Sequence, residues 1–140
     1  MREILFRGKY SKESPDWIEG SFHRDEDTNI CEIAYRYYKK EGETKAGIWV
    51  YGVVDPETVG QYTGLKDKNG KKIFEGDIVK IPLYEGCQEK TIAVVAWDIL
   101  CAVFYLHGKR VKTDFYHYFG NDCEVIGNIH DNKLEDFENG

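Results

Sequence analysis

Short apolar and aromatic runs alternate with turn residues along this whole chain, roughly every eight to twelve residues. That spacing constrains the fold more than any other feature. It leaves room for strands joined by tight turns and almost none for long helices, so it predicts a mainly β fold. Aromatic residues make up 14% of the chain, and their side chains suit a pleated, half-buried surface. Fourteen glycines against three prolines supply the turns. At 140 residues the chain can bury a core without covalent staples, and it reads as a single domain.

Residues 1–54 read as an N-terminal β portion. Residues 4–8 and 17–22 form an expected hairpin, with Gly20 at a bulge. Residues 30–40 fit two periods. Ile30, Ile33, Ala34, Tyr37 and Tyr38 lie at helical spacing, whereas Ile33, Tyr35 and Tyr37 alternate, and the tyrosines tip the reading towards strand. Residues 39–45 form a charged loop, and residues 47–54 are a strand rich in β-branched and aromatic side chains.

Residues 55–75 read as a connector. Asp55 suits an N-cap, Pro56 the first helical position and Glu57 the positive helix end; Gly60 limits the helix to one 3₁₀-like turn. Residues 61–65 are extended, Asn69-Gly70 turns the chain, residues 72–74 are extended again, and Glu75-Gly76-Asp77 turns once more.

Residues 76–130 hold a strand at 78–83, with Val79, Ile81 and Leu83 on one face and Lys80 on the other. A hairpin at 91–97 and 101–106 follows, then a helix or strand at 112–118 and a last strand at 124–129. That order suits a small SH3-like barrel. Residues 131–140 are an acidic, polar tail expected to fray.

The search for chemistry yields structural reasons instead. Asp77 sits beside Gly76 in a turn, where an aspartate accepts backbone N–H groups more readily than it serves as a general acid or base. His23, His107, His117 and His130 lack metal-ligand spacing, and Cys31, Cys87, Cys101 and Cys123 form no C-x-x-C pair. Residues 60–64 carry two glycines without the Gly-Lys-Ser/Thr of a phosphate loop. The expectation is a non-enzymatic protein with no catalytic residues, no metal and no cofactor. Cys31 and Cys101 lie in apolar runs and read as core residues. The chain opens without a secretory leader and has no apolar span of membrane length, so a cytoplasmic protein with reduced thiols is expected, with no membrane partner.

Two surfaces remain. Lys66, Lys68, Lys71 and Lys72 cluster at the Asn-Gly turn, and Lys109, Arg110 and Lys112 form a second cluster, with Tyr62, Tyr105 and Tyr116 as stacking faces. The net charge of −6 opposes a polyanion, so these lysines read first as solvated turns and only second as a nucleic-acid surface. Trp49, Tyr51, Tyr62 and the aromatic run around Phe115, Tyr116, Tyr118 and Phe119 exceed what a small core hides, and tyrosine and tryptophan are enriched at interfaces. With Gln61 beside them, they mark a protein-contact surface.

Three blocks of this chain resemble the YopX family of bacteriophages and prophages. They are Met1-Arg2-Glu3-Ile4-Leu5-Phe6-Arg7-Gly8-Lys9 and Asp55-Pro56-Glu57-Thr58-Val59-Gly60-Gln61-Tyr62-Thr63-Gly64-Leu65, which runs on through Asp67, Asn69-Gly70 and Ile73 to Glu75-Gly76-Asp77-Ile78-Val79. The third is Glu124-Val125-Ile126-Gly127-Asn128-Ile129. The resemblance implies a phage or prophage protein working in a bacterial cytoplasm, with a compact, β-rich fold open to self-association. It carries no biochemical activity, and it leaves the segment between Phe22 and Ile48 uncovered. The expected function is that of an accessory protein acting through protein contacts as a homo-oligomer. Nucleic-acid binding in phage replication or regulation is the alternative.

Overall fold

A computed structural model describes residues 1–37, 47–115 and 122–138. The expected loop at 39–45, the turn at 120–121 and Tyr116, with most of its aromatic run, lie outside the described residues. The elements are β1 (Phe6–Lys9), β2 (Trp17–Arg24), β3 (Cys31–Tyr37), β4 (Ile48–Val54), a 3₁₀ turn (Pro56–Thr58), β5 (Gly60–Lys66), β6 (Lys72–Phe74) and β7 (Asp77–Pro82). They continue with β8 (Lys90–Asp98), β9 (Val103–His107), β10 (Lys112–Asp114), β11 (Glu124–Asn128) and α1 (Glu135–Glu138). The fold is mainly β and every recorded strand pairing is antiparallel. The chain divides into two compact units between Gln61 and Tyr62, inside the 55–75 segment.

In the first unit the strands lie in the order β4-β3-β2-β1, and the first residues of β5 pair with β1 through Phe6↔Gln61 and Arg7↔Gly60. The alternation of residues 31–37 is realised as a strand: Cys31 and Ile33 point into a core with Val54, joined by Phe6, Ile18, Phe22 and Val59. Gly20 marks no register break. It is where β2 passes from β1, paired at Trp17 to Gly20, to β3, paired from Ser21 onward. A Cβ at Gly20 would lie 2.0 Å from the carbonyl oxygen of Ala34, so the residue is glycine for want of space.

The 3₁₀ turn forms for the reasons its residues predict. The Asp55 carboxylate accepts the Glu57 N–H at 3.0 Å, and Pro56 supplies the fixed φ of the first turn. The turn is then tied to β1. The Asp55 N–H donates to the Lys9 carbonyl (2.8 Å), the Lys9 N–H donates to Thr58 Oγ1 (2.9 Å), and that hydroxyl donates to the Asp55 carbonyl (2.7 Å). Thr58 is fully buried. Thr58→Val keeps the shape and deprives the Lys9 N–H of its acceptor. It should lower stability by about 1–3 kcal/mol in urea denaturation, whereas Thr58→Ser should restore most of it.

In the second unit the strands run β10-β9-β8-β7-β11 in one sheet, and β5 pairs with β6. Ile73, Val79, Ile81, Ala93, Val95, Leu106, Phe115 and Cys123 form its core. Val79 and Ile81 are buried with Lys80 exposed between them, as the alternation requires. The expected SH3-like barrel does not close. Among the described residues β10 and β11 are the two edges of an open sheet and do not pair with each other. Residues 112–114 are strand, and the tail is shorter in free chain than expected: α1 forms, and Glu138 pairs with Lys109 at 2.6 Å. Cys101 is exposed in the β8–β9 turn, contrary to its apolar context, and Cys123 fills the core instead. The reason is the Asp98 carboxylate at the end of β8, which accepts the Leu100 and Cys101 N–H groups and folds residues 99–102 into a turn outside the sheet.

Candidate functional site

The outward face of β4 is built by alternation from Trp49 to Val54. Gly52 and Val54 are buried, whereas Trp49, Tyr51 and Val53 are 54%, 65% and 55% exposed. Ile48 is exposed as well. Across the ladder to β3, Trp49 stands opposite Arg36, Tyr51 opposite Ala34 and Val53 opposite Glu32. The Arg36 guanidinium lies 5.2 Å from the centre of the Trp49 ring, within cation–π range. β4 ends the strand order, and among the described residues it pairs with β3 alone. It carries no charged residue and no proline along Ile48–Val54. Natural sheet edges are usually blunted by such residues, because an open edge offers its N–H and C=O groups to any second strand.

The other residues expected on the contact surface divide. Gln61 is half-buried on β5. Tyr62 is only 5% exposed, and its ring packs on Phe74 at 5.5 Å, so it is a core residue and not a contact surface. The β period explains the error, since Gly60, Tyr62 and the inward face of β5 share one side of the strand. Lys66, Lys68 and Lys71 are exposed around the Asn-Gly turn. Lys68 pairs with Glu124 at 3.3 Å, and the Lys72 ammonium lies 5.8 Å from the Tyr62 ring. In the second cluster Lys109 pairs with Glu138, Arg110 with Glu89 at 2.8 Å, and the Lys112 ammonium lies 5.9 Å from the Tyr105 ring.

The aspartates Asp55, Asp67 and Asp77 are committed to the backbone. Asp77 is buried and accepts the Phe74 N–H at 2.7 Å, while Gly76, at φ 91°, lets the chain turn between them. Asp67, which the sequence marks only as part of a turn, is the hub. Its Oδ1 accepts the Asn69 and Lys71 N–H groups at 2.9 and 2.8 Å, and its Oδ2 accepts the Val125 N–H at 2.9 Å. The Lys68 N–H donates to the Cys123 carbonyl at 2.9 Å, so the turn is stitched to the β11 end of the sheet. Burial alone would raise the Asp67 pKa, but the three backbone donors outweigh it and hold the carboxyl below its ordinary value. Burial, with the nearby Asp67 and Asp77 carboxylates, pushes the Cys123 thiol up to about 12, so it is no thiolate at neutral pH.

Sequence reasoning missed two further features. Arg7 and Lys9 of β1 are buried together against Trp17, with the guanidinium 4.5 Å and the ammonium 5.6 Å from its ring centre. Their burial explains why the N-terminal block carries charge inside a strand. Ile99 and Leu100 stand almost fully exposed at the β8–β9 turn. Among the described residues, no three His, Cys, Asp or Glu side chains gather as a metal site would require, and no helix is long and apolar enough to cross a membrane.

Comparison with known proteins places the whole of this architecture. The family model described as "YopX protein" matches residues 5–135. No curated protein matches the chain. Among solved structures it is similar to protein EF1440 from Enterococcus faecalis, with a TM-score of 0.56 and 22% identity, covering 93% of this chain and 95% of that one. At that identity the likeness speaks for the fold alone.

Proposed function

The chain belongs to the YopX family, and we propose that it works by assembling with a second copy of itself, strand β4 laid antiparallel against strand β4. The observation that carries this reading is the uncharged edge of β4, unpaired among the described residues, with Trp49, Tyr51 and Val53 exposed beside it. A two-fold axis at Tyr51 sets each Trp49 next to Val53 of the second copy, an aromatic against a β-branched side chain, which is a favourable cross-strand pair. The neighbouring β3 residues favour the same register. Arg36 lies in the Trp49 row and Glu32 in the Val53 row, so each joined row holds one cation and one anion. A parallel addition would put like charges in the same row. Closed two-fold pairing also removes the open edge, which otherwise invites aggregation.

The same reading makes the protein a non-enzymatic accessory protein of a phage or prophage, active in the bacterial cytoplasm. It is supported by the use of Asp77, the carboxylate a catalytic reading would need, as a backbone acceptor.

Light scattering after size exclusion tests the assembly. The protein should run as a dimer at tens of micromolar, and Tyr51→Lys, an exposed change on the edge strand, should run as a folded monomer. A wild-type protein that stays monomeric at that concentration overturns the reading, as does a Tyr51→Lys variant that still dimerises.

A further inference from the structure

The second unit contains a hollow of about 650 Å³ that the sequence gives no sign of. Four cations line it: Lys80 from β7, Lys90 from the start of β8, and Lys109 and Arg110 from the β9–β10 turn. Its apolar part is Ile92, Ile126 and Phe137. The acidic helix α1 supplies the remaining wall through Asp136 and Glu138. The size lies within the roughly 300–1,000 Å³ typical of small-molecule sites.

The pairing register explains the convergence. Lys80 stands opposite Ile92, and Lys90 stands two residues along β8, opposite Pro82. Lys80 and Lys90 are therefore diagonal neighbours on one face of the sheet, with Cα atoms about 7–8 Å apart. Among the described residues neither has an ion-pair partner. Glu124, directly across from Lys80 on β11, is turned to Lys68 instead. Two like charges so close repel each other, and a bound anion relieves that repulsion. Lys109 and Arg110 are already matched by Glu138 and Glu89.

We infer that this hollow binds a nucleotide-sized phosphorylated ligand, its phosphates on Lys80 and Lys90 and its base on the Ile92, Ile126 and Phe137 surface. The apolar surface argues for a ligand with a flat organic body beyond its phosphates, because an inorganic phosphate would leave that surface unused. A Cβ at Gly127 would lie 2.5 Å from Asn132 Oδ1 and 3.0 Å from the tip of the Phe137 ring, so glycine there leaves room on β11 for both side chains. A polynucleotide fits less well. Its backbone must run on past the site, where Glu135, Asp136 and Glu138 of α1 stand in a chain of net charge −6.

The test is titration calorimetry at low salt with ATP, adenosine, tripolyphosphate and a thymidine oligonucleotide. ATP should bind, more tightly than tripolyphosphate, and adenosine should not bind. Lys80→Gln with Lys90→Gln should weaken ATP about tenfold or more, the loss expected for two charge-assisted contacts. Both lysines are exposed, so the fold should survive, and circular dichroism checks that it does. Phe137→Leu should bring ATP to the affinity of tripolyphosphate while leaving tripolyphosphate unchanged. The inference is overturned if ATP fails to bind at millimolar concentration, if the double lysine variant binds it as well as wild type, or if tripolyphosphate binds as tightly as ATP. Oligonucleotide binding without ATP binding overturns it equally. None of these results depends on the oligomeric state.

Discussion

Replacing Asp67 with alanine is expected to lower the unfolding free energy by about 2–4 kcal/mol, because three part-buried backbone donors lose a charged acceptor. Three N–H groups converge on this carboxylate, from Asn69, Lys71 and Val125. The Asn69 group lies near solvent and can turn to water. The Lys71 and Val125 groups are part-buried as well, and water replaces a charged acceptor there only in part. The loss is a large share of the roughly 5–15 kcal/mol that holds a domain of this kind together. Urea denaturation measures it, with an unchanged m-value as the sign that the folded state is otherwise intact. Asp67→Asn retains one acceptor oxygen and should cost about half as much. Equal stability of wild type and Asp67→Ala would show that the junction relaxes at no cost.

The same carboxylate predicts a pH dependence whose sign follows from its lowered pKa. The folded state binds the proton more weakly than the unfolded chain does. The stabilisation is therefore fully present above the ordinary carboxylate value, near about 4, and is lost as the pH falls through the lower folded value. The stability gap between wild type and Asp67→Asn should be flat from neutral pH down to about 4 and should narrow below it. A gap that narrows on raising the pH instead would contradict this account.

The second large effect is at Gly20. An alanine there should destabilise the first unit by about 3 kcal/mol or more, since its methyl would have to occupy the space of the Ala34 carbonyl oxygen. The obstacle is backbone, so no side-chain rotation relieves it; β2 and β3 must part. Gly64→Ala is the informative comparison. At Gly64 a Cβ meets nothing within 4 Å, but φ is 88°, so only the left-handed conformation is penalised, at about 1 kcal/mol. Hydrogen exchange should place the two effects. Gly20→Ala should expose amides of β2 and β3 while those of β7 and β8 keep their protection, because the residue lies in the first unit.

Much of the local structure was legible in the residues themselves. Asp55 with Pro56 specifies its turn through one side-chain acceptor and one fixed φ, and Asn69-Gly70 specifies a reversal through a positive φ of 80° at Gly70. Both signals act within a few residues, so no distant partner can overrule them. Alternation along residues 78–82 was equally plain, because a strand with one buried face must repeat every second residue, whereas residues 30–40 fitted a helical period as well and only pairing with β2 and β4 made 31–37 a strand.

What only the tertiary structure decided were the questions of which surfaces meet. Tyr62 and Tyr51 are the same residue type in similar strands, yet one is core and the other exposed, because a second strand and Phe74 cover the first and β4 ends its sheet. Cys101 left its expected place in the core for a comparable reason, an aspartate that folds it into a turn outside the sheet. Sheet closure, expected from strand order, depends on whether the two edge strands pair, and among the described residues β10 and β11 do not. The basic hollow is the clearest case. Its cations are ten or more residues apart except for Lys109 and Arg110, and no spacing rule joins them. The chain by itself determined that Lys80 would face outward from a strand. The register between β7 and β8 put Lys90 beside it, since the side-chain face of one strand is set by its own sequence and its neighbours only by the pairing.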